Sequence, residues 1–511
     1  MNSKTQWHYG ADIVVCGFGA AGAVTAITAR EGAAEVLVLE KQVAERFVTT
    51  SFMSGGGIIC PNDRDGAEQY MQALVKVTDD LYWTDPEIVR VWADYTTQNK
   101  RWIENIGGVR MTVYRHGGEH RLPGAEAIDS CHIPGMGPGL MRLLYEQAKI
   151  RNVQVVHGLA AEKLLLNERG EVVGVRARKT GGQLVNVRAR RAIILTTGGF
   201  EFDEQMKLQY LRVYPTYFLG SPANTGDGVR MATDVGAELW HMNCCSARLV
   251  MKFPELPYAF SPALGGMNWG SPGGSVLPGA GGVARPQKQG GRATAVAGYI
   301  IVDRFGKRYT NENFKGHSIY YELTGFDSQK LVFPRVPSYW IFDRKRLDDS
   351  PLALRRSGPA GPAQLYTWGA DNREELGRGW IHEGKTIEKL ARVLSIEPSI
   401  LKGTVSSYNE SCKEGRDTEF HRQLDSLIPL DTPPFYAVPL WPGGPNTQGG
   451  PRKNRKAQVL RSDGSPVRRL YAAGELGSVY GMLYPSGGGN LAECIAFGRI
   501  AGEHASGERP V

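Results

Sequence analysis

The sequence predicts an α/β chain that opens on a βαβ unit, and three observations carry that reading. An apolar run, a G-x-G-x-x-G turn, a small-residue helix and a second apolar run follow one another over residues 11–40. The same strand–turn–helix style returns near the other end of the chain, over residues 470–503. Glycine is abundant, 64 of 511 residues, against a usual share of about 7%. No Gly-X-Y period accompanies it, so the excess points to tight turns and close approach of backbone to a ligand.

Residues 11–16 (ADIVVC) have the length and character of a buried strand. Gly17-Phe18-Gly19-Ala20-Ala21-Gly22 follows, and the small-residue run after it reads as a helix ending near Gly32. Residues 35–40 (EVLVLE) form the next strand, closing on Glu40, 18 residues after Gly22. In this setting Gly17 allows the turn, Gly19 lets backbone approach a pyrophosphate, and Gly22 lets the helix lie close on the strand. The helix N-terminus favours an anion, and Glu40 is placed to accept bonds from ribose hydroxyls. The unit is Rossmann-like and by itself does not choose between NAD and FAD.

Ser51–Gly57 (SFMSGGG) is a second glycine-rich turn. Residues 172–178 and 184–188 alternate like a hairpin around Gly181-Gly182, and 191–200 (RAIILTTGGF) read as a buried strand entering a diglycine turn. Asn224–Gly228 precedes a helical run over 229–239. Residues 256–284 carry no charge and hold eight Gly and four Pro among 29 positions, an irregular loop. Its Tyr258, Phe260, Met267 and Trp269 offer an apolar mouth. Residues 300–312 suggest strand, turn and strand, and 385–412 a helix. Arg452, Lys453, Arg455 and Lys456 read as a solvated turn. Leu470–Glu475, the turn Tyr484–Asn490 and a helix from Leu491 to about Glu503 end the pattern.

Composition narrows the classes. Hydrophobic residues at 41% and charged residues at 22% describe a globular chain. The net charge of +8 is scattered, which argues against a nucleic-acid partner. Seven cysteines with no C-x-x-C spacing remove the usual zinc, haem and iron–sulfur signatures and fit a reducing compartment. The segment MNSKTQWHYG lacks a signal-peptide apolar region, and no run of about 18 apolar residues occurs. The expectation is a cytoplasmic protein without a transmembrane segment.

These pieces together resemble the FAD-dependent oxidoreductases of the fumarate reductase and 3-ketosteroid dehydrogenase superfamily. The matching segments are Gly17–Gly22 with Glu40, Ser54–Gly57, Thr196–Phe200, Asn224–Gly228, Gly306–Glu312, Thr447–Gly450, Ala472–Glu475 and Gly487–Gly502. The resemblance implies an FAD-binding domain built from both chain ends, residues 1–280 and 436–511, around an inserted catalytic domain, 281–435. It implies non-covalent FAD, since the 51–57 turn has no His. The FAD contacts it implies come from Gly17, Gly19, Ala20, Ala21, Gly22, Glu40, Lys41, Ser51, Ser54, Gly55, Gly56 and Gly57. From later in the chain it adds Ala160, Thr197, Gly198, Gly199, Asn224, Asp227, Gly474, Glu475, Gly489, Asn490 and Leu491. Glu475 resembles the acid that binds the ribityl chain. The last helix would aim its positive end at the flavin's pyrimidine side, where charge gathers on reduction.

The fumarate reductase branch fits less well. Its C-terminal turn carries a His and an Arg, where this chain has Gly481–Ser486 (GMLYPS). Gly316 stands at the place of its proton-donating Arg, and its His before T-x-G-G is missing from Pro445–Gly450. A dicarboxylate needs cationic partners, for which His317, Lys315 and Arg292 are the remaining candidates. Tyr484-Pro485-Ser486-Gly487-Gly488-Gly489 instead resembles the turn of 3-ketosteroid dehydrogenases. Ser486 resembles the Δ4-(5α) branch, whereas the Δ1 branch has a glycine there and a tyrosine where Gly316 stands.

The implied chemistry is desaturation α,β to a ketone of a small apolar cyclic substrate. Tyr484 is the expected base, Ser486 its hydrogen-bond donor, the Gly488 N–H the enolate's donor, and Tyr320, beside His317 and Tyr321, a further catalytic candidate. A Δ1-dehydrogenase and a flavin-dependent reductase of an activated, non-steroid C=C bond are the alternatives. A flavin-binding protein without catalysis would not need Tyr484. Electrons would pass to or from an external carrier.

Overall fold

The structure, a computed structural model, describes residues 6–264, 298–313, 317–353 and 366–511. The chain divides into two compact units: 1–211, 220–246 and 445–511 form the first, 212–219 and 247–444 the second. The second unit therefore takes in residues from 247, ahead of the 281 expected, and runs to 444 rather than 435. The reason is pairing: strand Cys245–Val250 and strand Phe435–Thr447 belong to one sheet.

In the first unit, β1 (Tyr9–Cys16) lies between β2 (Val36–Glu40) and the long strand Leu184–Leu195, parallel to both. Strand Gln154–His157 extends the sheet beyond β2, and Pro466–Ala472 joins in parallel on the other side of Leu184–Leu195. Both ends of the chain thus meet in one sheet. β2 is buried at all five positions, as its unbroken apolar run requires. The expected hairpin forms between Val172–Lys179 and Leu184–Leu195.

Helix α1 (Ala20–Glu31) begins directly after β1 and ends at Gly32, as its small-residue pattern predicts. Its alanines let it pack closely against the final helix, Gly489–Ser506: a Cβ at Gly498 or Gly502 would fall 3.0 or 2.8 Å from α1 backbone oxygens. Burial on almost every face explains why neither helix is amphipathic.

In the second unit, Ser338–Asp343 pairs antiparallel with Tyr299–Val302 and with Phe435–Thr447. The strand expected near 308–312 does not form. Arg308 instead turns inward to a buried cluster, with Glu312 at 2.7 Å and Asp417 at 2.8 Å, and Arg422 also reaches Glu312. The helix expected over 385–412 is two helices, Ile387–Val393 and Pro398–Glu414, because Pro398 starts a new one. The run after Asn224 is helical only to Asp234 and ends before Gly236, which has φ 82°. Tyr258 and Phe260 are core residues rather than a mouth, and Phe260 packs against Phe253, Trp368 and Trp380. Met267, Trp269, Arg292, Lys315 and Gly316 lie outside the described residues. No helix among the described residues is long and apolar enough to cross a membrane.

Candidate active site

A cleft of about 760 Å³, counting its opening to solvent, runs along the ends of the parallel strands in the first unit. Gly17, with φ 103°, makes the turn out of β1, and a Cβ there would sit 2.5 Å from the Thr196 carbonyl oxygen. At Gly22 a Cβ would meet the Gly17 oxygen at 2.1 Å, so α1 rests on the turn only because no side chain intervenes. The Ala20 N–H, at the open end of α1, donates to Ser51 Oγ at 3.2 Å. Glu40 closes β2 and accepts the Phe18 N–H through Oε2 and the Gln42 N–H through Oε1. Each oxygen keeps lone-pair capacity for a ribose hydroxyl.

Of the expected cofactor residues, Gly17, Gly19, Ala20, Ala21, Glu40, Lys41, Ser51, Thr197, Gly198, Asn224, Asp227 and Glu475 line this cleft. Ala161 lines it in place of its neighbour Ala160. Lys41 and Asp227 are paired at 2.6 Å, and Lys41 also donates to Thr225. Glu475 accepts the Gly199 N–H at 3.1 Å. Gly474 holds its turn with φ 79° beside Ala21. Thr197 Oγ1, on the cleft wall, is buried without a hydrogen-bond partner. Glycine backbone at the helix N-terminus, an acid on β2 and an unsatisfied wall hydroxyl fit the adenosine and pyrophosphate of a dinucleotide.

The expected residues of the 54–57 and 484–491 segments gather at a second locus of the same unit. The backbones of Gly57 and Gly488 touch there: a Cβ on Gly488 would lie 2.5 Å from both Gly57 C and Ile58 N. Gly488 has φ 100°, a conformation that suits glycine. Ser54 ties its own turn, donating to the Ser51 carbonyl and accepting the Gly56 N–H. Gly55 has open space where a side chain would be, while Gly56 is hemmed in by the Met136 backbone. Gly489, Asn490 and Leu491 begin the final helix.

The 484–490 turn is fixed from several sides. Tyr70 Oη donates to the Pro485 carbonyl at 2.7 Å, Ser130 Oγ to the Gly487 carbonyl at 2.7 Å, and the Ile59 N–H to the Gly488 carbonyl at 3.3 Å. His120 Nε2 contacts the Tyr484 carbonyl. Tyr480 Oη donates to the Gly489 carbonyl and accepts the Trp92 Nε1–H. None of these anchors stands in a recognisable motif, and sequence reasoning missed them.

Tyr484 is 7% exposed, and its Oη accepts the Asn490 N–H at 2.8 Å. Burial pushes this phenol well above the ordinary tyrosine range, and the Asn490 N–H only partly opposes that. Ser486 does not play the donor part expected of it: its Oγ is buried with no hydrogen-bond partner. The N–H at the start of the final helix meets the phenol oxygen instead. Tyr320 belongs to the second unit, where it is fully buried edge-on to Tyr321, and His317 is also buried there.

Lys453 corrects the reading of a solvated basic turn. It is fully buried and pairs with Glu493 of the final helix at 2.8 Å. Glu493 also accepts the Val479 N–H and the Ser478 hydroxyl, so the pair secures the segment leading to Tyr484. Removing one partner leaves an unpaired buried charge, so Lys453→Ala should lose about 3–5 kcal/mol of stability. Urea unfolding measures this. The double variant Lys453→Met/Glu493→Gln, which removes both charges and keeps an acceptor for Ser478 and Val479, should lose less than Lys453→Ala; an equal or larger loss would refute the pairing's role.

A family model described as FAD binding domain matches residues 12–491. Urocanate reductase of Eggerthella lenta is 27% identical over 507 residues, covering 97% of this chain and 74% of that protein. The 3-oxosteroid 1-dehydrogenase of Mycolicibacterium smegmatis is 25% identical over 589 residues, covering 96% of each. The crystal structure of 3-ketosteroid Δ1-dehydrogenase from Sterolibacterium denitrificans, in complex with 1,4-androstadiene-3,17-dione, superposes with a TM-score of 0.79. It is 22% identical and covers 97% of this chain and 99% of that one, a likeness of fold.

Proposed function

The chain belongs to the FAD binding domain family and is an FAD-dependent oxidoreductase acting on CH–CH bonds, and from that premise we propose that it desaturates a cyclic ketone, a 3-ketosteroid at C4–C5. FAD, when bound, supplies the hydride acceptor. The residues do the rest. The Gly488 N–H holds the enolate oxygen as charge develops on it, and Tyr484 moves the proton from the carbon beside the ketone. The observation that carries this reading is the pinned Tyr484–Gly488 turn, with a buried phenol at one end and a glycine backbone at the other. Neutral residues at Gly481–Ser486 suit a ketone better than a dicarboxylate. The electron carrier is external.

The experiment is a dye-coupled assay with saturated 5α-3-ketosteroids, simple cyclohexanones and succinate as donors. Activity with the ketones and none with succinate supports the proposal; the reverse order refutes it.

A second reading, reduction of an activated C=C bond, draws on the raised phenol of Tyr484, which is protonated at neutral pH and ready to donate. The two directions differ in pH dependence. A base must first lose its proton, so desaturation should rise roughly tenfold per pH unit between pH 7 and 9. An acid of raised pKa stays charged with its proton, so reduction driven by a low-potential dye should be flat over that range. A flat desaturation profile would remove Tyr484 as the base.

A further inference from the structure

Two carboxyl groups meet beneath the cleft wall. Glu201 is 1% exposed, and its Oε1 accepts both the Thr447 N–H, at 2.7 Å, and the Thr447 hydroxyl, at 3.0 Å. Its Oε2 is buried and no N–H or O–H donor of the protein reaches it. Glu475 lines the cleft, and its Oε1 accepts the Gly199 N–H. A Cβ on Gly199 would stand 2.7 Å from Glu201 Oε1 and 2.8 Å from Glu475 Oε1, so the two acids crowd one spot. Two anions at such a spot repel, and a proton on one relieves the repulsion. Two carboxylates have no donor between them, so a hydrogen bond joining them requires a proton on one.

The groups acting most strongly on Glu475 are Glu201, the Cys494 thiol and the Gly199 N–H. Cys494, pushed up to about 12 by burial, is itself neutral, and beyond it lies the self-compensated Lys453–Glu493 pair. Burial and Glu201 drive the Glu475 carboxyl well above the usual carboxylate range.

We propose that Glu201 and Glu475 share one proton, and that Glu201 thereby acts as a positioning residue for FAD, holding the Glu475 carboxyl as a neutral donor at the cleft. This rests on the expectation that Glu475 contacts the cofactor. The sign follows from the shared proton. It is present at low and neutral pH and is lost as pH rises, when two adjacent anions repel and the wall loosens. With one proton linked, FAD affinity should fall by up to tenfold per pH unit through that ionisation.

The test measures FAD release from the holoprotein by flavin fluorescence between pH 6 and 10, for the natural protein, Glu201→Gln and Glu475→Gln. Infrared spectra of the same samples report a protonated carboxyl. The natural protein should lose affinity steeply on the alkaline side and show a protonated-carboxyl band at neutral pH. Glu201→Gln, whose amide donates without a titrating proton, should flatten the profile and remove the band. A wild-type profile in Glu201→Gln, or no such band in the natural protein, would overturn the proposal. Glu475→Gln separates the two ideas, since unchanged affinity there would refute only the cofactor contact.

Discussion

Replacing Tyr484 by Phe should leave FAD bound and lower turnover by roughly 10²–10⁴-fold, the usual worth of a positioned acid–base group. The ring fills the same space in the variant, so packing against Tyr480 survives. Only the hydroxyl that accepts the Asn490 N–H is lost. Leaving that N–H without its partner is a local cost of about 1–3 kcal/mol, and the adenosine end of the cleft is untouched. Bound-flavin absorbance and the rate with a saturated ketone separate the two effects. Near-normal rates would move the proton-transfer role to another residue, with Tyr320 the next to test.

Gly488→Ala should be nearly as damaging by a different route. The added methyl would lie 2.5 Å from two backbone atoms of the Gly57–Ile58 segment, neither of which can swing aside. The φ of 100° adds strain of about 1–3 kcal/mol for any residue with a Cβ. The Gly488 carbonyl accepts the Ile59 and Ala492 N–H groups, so a shift there displaces both the short strand Gly57–Ile59 and the start of the final helix. If the Gly488 N–H holds the enolate oxygen, turnover should fall about 10²–10³-fold, together with a lower melting temperature. A variant that loses stability yet keeps full turnover would show that this N–H does not face the reacting oxygen.

How much of this was legible in the sequence depends on how local each feature is. The turn Gly17–Gly22, α1 and β2 are set by residues within one short stretch, and their boundaries follow the pattern closely. The Tyr484–Gly489 turn was visible for the same reason. What lay hidden depends on distant partners. Lys453 looks like part of a solvated basic run until Glu493, 40 residues away, takes its charge into the core. Tyr70 and Ser130 grip the turn from 415 and 357 residues away, and neither carries a motif. Arg308 and Glu312 have the spacing of an exposed strand pair, but Asp417 draws them inward. Ser486 shows the opposite limit: its position suggested a bond to Tyr484, and the helix N–H at Asn490 occupies that role.

The measurement that bears most directly on the proposed activity is anaerobic mixing of the oxidised holoprotein with a saturated 5α-3-ketosteroid, following the flavin absorbance and identifying the product. The expected result is bleaching of the oxidised flavin with formation of a C4–C5 enone. Flavin that stays oxidised in the presence of saturating ketone would contradict ketone desaturation as the activity.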